Sequence, residues 1–332
     1  MRGNGDRAAD QPAPHHHVRG RVMRAVGITR FGGPEVLEIV ERPVPEPGAG
    51  EVRIQVAAAT VNAADTVLRV GRHGPADGQE PPYVPGMELA GTIDAAAPGS
   101  GWLAGERVMA IVSPGHRHGG AQAEFVVVSA DSVARVPEKI SLTAAATLPM
   151  NGLTARRALD LLALGPGDTL AVTGAAGAVG GYMIQLAVTE GLLVIADASP
   201  QDAGLVRRLG AHVVVDRGPE VAAAIRRAAP EGADALLDAA VIGAPVLPAV
   251  RDGGQLAVVR SFRGDTERSI AVRLVLVGDY LHAGDKLAGL ADLAAAGRLT
   301  LRVAAELPAE QVAEAHRLLE AGGVRGRLVL TF

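Results

Sequence analysis

The sequence predicts an α/β protein in which a doubly wound parallel sheet is set inside a second, β-rich unit. Three observations predict it. Between residues 144 and 285, short apolar runs alternate with runs of helical period. A loop of spaced glycines, 174–180, follows one such strand and opens a helix. Residues 23–143 read instead as short strands punctuated by Gly and Pro, and 286–332 is expected to return to that unit.

In order, residues 1–22 are polar and lack the apolar stretch of a secretory signal, so they read as a disordered tail. His15, His16 and His17 belong either to that tail or to a metal-binding tract. Strands are expected over 23–32, 37–45, 51–62, 81–93, 106–112 and 121–128. The pattern turns helical over 142–162, with Ser141 as N-cap. Strands at 169–174, 192–199, 212–216, 233–240 and 254–259 then alternate with helices, including 178–191, 202–210 and 220–229. The chain closes with a helix (285–297), a strand (299–308), a helix (310–322) and a strand (325–332).

Of the 332 residues, 48% are hydrophobic, mostly Ala, Val and Leu, which suits strands covered on both faces. A net charge of -4 with no basic stripe argues against nucleic acid. No apolar run approaches 18 residues, so no membrane span is expected. Cysteine is absent, which removes disulfides, thiolate metal sites and a cysteine nucleophile, and is compatible with a reducing cytoplasm.

The glycine loop carries the chemistry. Gly174 permits a tight turn, Gly177 lets the backbone of Ala175, Ala176, Ala178 and Val179 approach a diphosphate, and Gly180 allows close helix packing. The helix N-terminus offers free N–H groups and partial positive charge, so a nicotinamide dinucleotide is expected there. At the end of the second strand an acid selects NADH, and its absence admits NADPH. Counting places that slot on Ala198 or within one residue of it. Asp197 stands next door, Ser199 could bond a phosphate, and Arg207, Arg208 or Arg217 could supply charge. NADPH is favoured over NADH.

Several ordered motifs accompany the loop: Val61-Asn62-Ala63-Ala64-Asp65, Pro82-Tyr83-Val84-Pro85-Gly86-Met87-Glu88, Gly105-Glu106-Arg107-Val108, Asn151-Gly152-Leu153-Thr154 and Gly326-Arg327-Leu328. Together they resemble the zinc-independent, quinone oxidoreductase-like branch of the medium-chain dehydrogenase/reductase superfamily. The resemblance implies a GroES-like barrel around an inserted Rossmann domain, with the cofactor in the cleft and a homodimeric assembly. It implies Asn62 and Asp65 near the nicotinamide, Asn151 and Thr154 across from them, and Arg327 facing the cofactor. It further places Val259 to Phe262 at the nicotinamide edge and Arg217 beside the adenine.

Zinc-using cousins carry His where this chain has Met87, so zinc is not expected. His116 and His118 read as a solvated loop that rims the cleft. Without a strong Lewis acid the easier chemistry is hydride transfer to a quinone or a conjugated enone or enoyl double bond. The candidate catalytic residues are Asn62, Asp65 and Tyr83. Tyr83 is either a proton donor or a packed strand residue, and Asp65 either an acid or a brace for its loop. Val67 stands where some relatives carry Tyr, which leaves a cofactor-binding protein without turnover as the alternative.

Overall fold

The computed structural model describes residues 21–72, 79–266 and 268–332; the tail over residues 1–20, with its three histidines, lies outside the described residues. Val22, expected in the tail, already heads the first strand because its backbone pairs with Pro43. β1 (Val22–Ile28) and β2 (Leu37–Pro43) form an antiparallel hairpin. β3 (Glu51–Val61) is followed by a short helix, α1 (Ala63–Arg69), that the sequence did not announce. β4 (Glu88–Ala96), β5 (Arg107–Ile111), β6 (Phe125–Ser129) and β7 (Val133–Arg135) then wrap antiparallel around β3.

The helical run after Ser141 is broken in two. Ser141 Oγ accepts the Ala144 N–H at 3.1 Å and caps α2 (Leu142–Ala145). Pro149 starts α3 (Pro149–Leu162), because a residue without N–H fits a first turn but not a helix interior. The parallel lobe comprises β8 (Thr169–Thr173), α4 (Ala178–Thr189), β9 (Leu193–Ala198), α5 (Ala203–Arg208), β10 (Val213–Asp216), α6 (Val221–Ala228), β11 (Ala233–Asp238), β12 (Val250–Val258) and β13 (Ala271–Leu274). Its strand order is β10-β9-β8-β11-β12-β13, so the sheet reverses direction between β8 and β11. Pro245 and Pro248 reduce the expected helix before β12 to a 3-10 turn.

α7 (Gly284–Ala295) leads back to the first lobe, where β14 (Val303–Pro308), α8 (Val312–Ala321) and β15 (Arg327–Thr331) complete the sheet. β15 lies between β14 and β3, pairing antiparallel with β3 from Val61 to Ala58. One apolar core runs through both lobes: Met109 and Ile111 of the barrel, Leu148 and Leu153 around α3, and Leu170 and Ile184 of the parallel lobe are all buried in it. Each such side chain contributes roughly 1.5–3 kcal/mol by leaving water. α3 is therefore the element that both lobes share.

α1 and α8 are tied by a buried polar contact. The Arg69 guanidinium donates to Gly32 O (3.0 Å), to His316 Nδ1 (3.0 Å) and to Glu320 Oε1 (2.5 Å). His316 has no exposed surface, and its Nε2 has no partner among the described residues. Burial, with the Arg69 charge second, pushes the His316 imidazole down to about 4. The unfolded chain thus binds the extra proton between pH 4 and 6.5, so stability is full above 6.5 and falls as the pH drops toward 4. The span corresponds to about 3 kcal/mol. Thermal melts from pH 4 to 7 are expected to steepen relative to His316→Gln by that amount; parallel profiles would remove the assignment.

Candidate functional site

β8 delivers the chain to the glycine turn. Gly174 has φ of +67°, and a Cβ there would lie 2.9 Å from Ala240 N. At Gly180 a Cβ would stand 2.4 Å from Gly174 O, so only glycine lets α4 pack onto the loop. Gly177, the N-cap, is different: a Cβ would meet only Gly174 O, at 3.1 Å, and the outer side of the turn is open. The first-turn N–H groups of Ala178, Val179 and Gly180 have no acceptor inside the helix, which suits a diphosphate. The loop is braced from both lobes. Asp197 Oδ1 accepts the Ala175 N–H at 3.0 Å, and Arg302, arriving just ahead of β14, donates to Ala176 O (3.1 Å) and Gly177 O (2.7 Å).

Across from the loop is a buried polar cluster. Glu88, with no exposed surface, receives Thr60 Oγ1 (2.5 Å), Asn62 Nδ2 (3.2 Å), Asn151 Nδ2 (3.4 Å) and Arg327 Nη2 (3.0 Å) on one oxygen. Its other oxygen accepts the Met150 N–H of α3 at 2.7 Å. Arg327 Nη2 also donates to Asn62 Oδ1, while Arg327 Nε is buried without a partner among the described residues. Asn62, Arg327 and Asn151, the last expected across the nicotinamide from Asn62, are thus joined to one carboxylate. Thr154 lies one turn along α3, its hydroxyl donating to Met150 O at 2.7 Å.

The other two catalytic candidates take structural places. Asp65 is fully buried and accepts the Asn62 N–H (2.8 Å) and the Gly86 N–H (2.9 Å). Burial raises its carboxyl to about 6 against those two donors. Through these contacts it braces the start of α1. Tyr83 stacks on Phe31, with ring centroids 5.7 Å apart and planes 9° from parallel, against the β1–β2 hairpin. The structure does not bring it into the Glu88 cluster.

Ser199 and Arg217 lie at the carboxyl end of the sheet with Asp197. Ser199 Oγ donates to Asp202 (2.8 Å), Asp202 takes both Arg325 nitrogens at 2.7 Å, and Arg217 is exposed, its backbone N–H on Ala198 O (3.0 Å). Val259 follows β12, and Phe262 packs against the core beside Val258 and Ile270. A separate cleft of about 640 Å³ at the barrel end is lined by Glu51, His116, Ser132 and His282 among others. There Glu51 pairs with Arg117, Ser132 bonds Leu281 O, and His282 meets Asp131. His116 and His118 face each other at 5.5 Å, and among the described residues no three His, Asp or Glu side chains gather as a metal site.

Glu88, Thr60, Arg302, Asp202 and Arg325 were not singled out from the sequence. Glu88 had a signal, an acid directly before the apolar run Leu89-Ala90-Gly91. Arg302 had none, since its partners lie over a hundred positions away.

The glycine turn has the form of a dinucleotide-binding loop, and the Glu88 cluster gathers buried donors around one carboxylate. Two family models match the chain, the alcohol dehydrogenase GroES-like domain over residues 48–138 and the zinc-binding dehydrogenase family over 209–330. Human quinone oxidoreductase is 30% identical over 331 residues, covering 93% of this chain and 98% of that protein. The chloroplastic quinone-oxidoreductase QR1 of Triphysaria versicolor is 32% identical over 67% of this chain and 70% of its own length. A mycobacterial protein solved in complex with NADPH superposes with a TM-score of 0.81 at 30% identity, covering 93% of this chain and 100% of that one. The chain belongs to the medium-chain dehydrogenase/reductase superfamily, in its quinone oxidoreductase-like branch.

Removing one partner of a buried ion pair strands the other charge, so Glu88→Ala is expected to cost about 3 kcal/mol in denaturant unfolding. Glu88→Leu combined with Arg327→Met is expected to cost less than Glu88→Ala alone. A larger loss in the double variant would show that the pair is not the hub.

Proposed function

We propose that the chain is a zinc-independent reductase that passes hydride from a reduced nicotinamide to a quinone or to the conjugated double bond of an enone or enoyl substrate. The observation that carries the reading is the open glycine turn at the start of α4, taken with the Asn62–Glu88–Asn151–Arg327 cluster. The cofactor supplies the hydride. The protein holds two flat partners face to face and keeps water out, and an acceptor of this kind stabilises its own developing charge. Arg327 and the Asn62 amide supply fixed donors at that wall, and the proton comes from solvent.

The donor set does not fit zinc. Met87 offers a thioether, Asn62 and Asn151 offer amides, and both Glu88 oxygens are already engaged. No step is assigned to a metal. No helix among the described residues is long and apolar enough to cross a membrane. A homodimer is part of the proposal: β13 is an open sheet edge, with Leu274 and Leu276 exposed at its end. Sedimentation is expected to give a dimer that Leu276→Glu weakens.

The protein mixed with reduced nicotinamide dinucleotide and a panel of quinones and enones is expected to consume nicotinamide absorbance, at a rate unchanged by chelator. Tight dinucleotide binding without turnover on any acceptor would leave the non-catalytic reading, which Val67 favours.

A further inference from the structure

Three arginines of the barrel's returning tail reach three different parts of the molecule's polar interior. Arg327 joins the Glu88 cluster, and Arg325 grips Asp202, between β9 and α5, through two contacts of 2.7 Å. Arg302 donates to Ala176 O (3.1 Å) and Gly177 O (2.7 Å) of the glycine turn, and among the described residues it has no carboxylate within ion-pair reach. The Arg327 N–H bonds Arg302 O at 2.8 Å and fixes the spacing between the two. We infer that Arg302 is a positioning residue for the dinucleotide: a guanidinium lent by the barrel lobe that orients the glycine turn and adds its positive charge to the seat of the diphosphate. The inference rests on the cofactor reading above.

A trans peptide points its C=O and the following N–H in opposite directions. Holding Gly177 O from the tail side therefore turns the Ala178 N–H away from Arg302, among the first-turn donors of α4 that find no acceptor inside the helix. The bond to Ala176 O fixes the preceding peptide, whose Gly177 N–H closes the turn on Gly174 O at 2.9 Å. Gly181 makes room for the guanidinium, since a Cβ there would stand 2.6 Å from Arg302 Nη2. The charges point the same way. A cation at a helix N-terminus meets like partial charge, the reverse of what stabilises a helix. Asp202 attracts Arg302 but is already held by Arg325. Burial pulls the Arg302 guanidinium below its usual range, and the Arg325 charge acts in the same direction. Nearby, Arg217 is exposed and drawn to Asp197 and Asp202, and the Arg208 guanidinium lies beside Gly204. Arg302, Arg325, Arg217 and Arg208 thus stand against Asp197 and Asp202, which leaves positive charge in excess, as a diphosphate requires.

Titration of the full chain with NADH and with NADPH at low and at high salt, followed by nicotinamide fluorescence, tests this. Loss of a charged hydrogen-bonding group changes affinity about tenfold, so Arg302→Met is expected to weaken the tighter-bound dinucleotide by about that factor at low salt. Salt screens charge, so wild type is expected to lose affinity as salt rises and Arg302→Met to lose less, until the two converge. Arg302→Lys keeps the charge and is expected to keep the salt response of wild type. Arg302→Gln keeps donors for the two carbonyls without the charge; it is expected to show the flattened response, and it serves if thermal melts show Arg302→Met unfolded. If Arg302 is only a brace of the scaffold, the uncharged variants will shift affinity by the same factor at every salt concentration, or not at all, and the inference is overturned. Binding of neither dinucleotide by wild type removes the cofactor reading as well, whereas tight binding by wild type with unaltered variants overturns this inference alone.

Discussion

Glu88 enters the barrel at the head of β4 with no water to satisfy it, so each of its lone pairs must find a donor within the protein. The donors it finds come from three separate stretches of chain: Thr60 and Asn62 around the end of β3, the Met150 backbone and Asn151 in α3, and Arg327 at the start of β15. That convergence fixes how α3 sits against the barrel, and α3 is also a wall of the parallel lobe. Asp65 works one layer behind, holding the Asn62 backbone in place.

The alternation of strands and helices from residue 169 onward was legible because each buried strand and each amphipathic helix carries its own period. The glycine loop was legible for a similar reason, since its three special positions fall within seven residues and each meets a local steric demand. α1 was not, because its seven residues are set by the Asp65 contact to the Asn62 N–H and by Arg69 reaching α8, not by an apolar stripe. The break at Pro149 was written in the sequence but read as helix interior. Asn62, Asn151 and Arg327 were named through family resemblance, whereas what binds them together is a long-range contact that spacing cannot reveal.

Tyr83 and Asp65 show the limit of reading chemistry from residue type. Each can ionise, and each occurs in a motif beside the expected site. Packing shows what each touches: the Tyr83 ring stacks on Phe31, and the Asp65 carboxylate is sealed behind two backbone amides. Asp197, placed by counting beside the cofactor-selecting slot, holds the Ala175 N–H of the glycine loop.

The placement of β15 bears on how the protein is made. β15, which follows every other strand of its sheet in sequence, is an inner one, seated between β14 and β3. Until it arrives, β3 keeps an unsatisfied edge along Ala58–Val61, Glu88 lacks its guanidinium, and the glycine loop lacks the Arg302 brace that precedes it by a few residues. The parallel lobe can collect its own strands during synthesis, but the barrel cannot close ahead of β15. Nascent chains thus carry an open, pairing-competent strand for most of translation, which is the interval in which chaperone protection matters most.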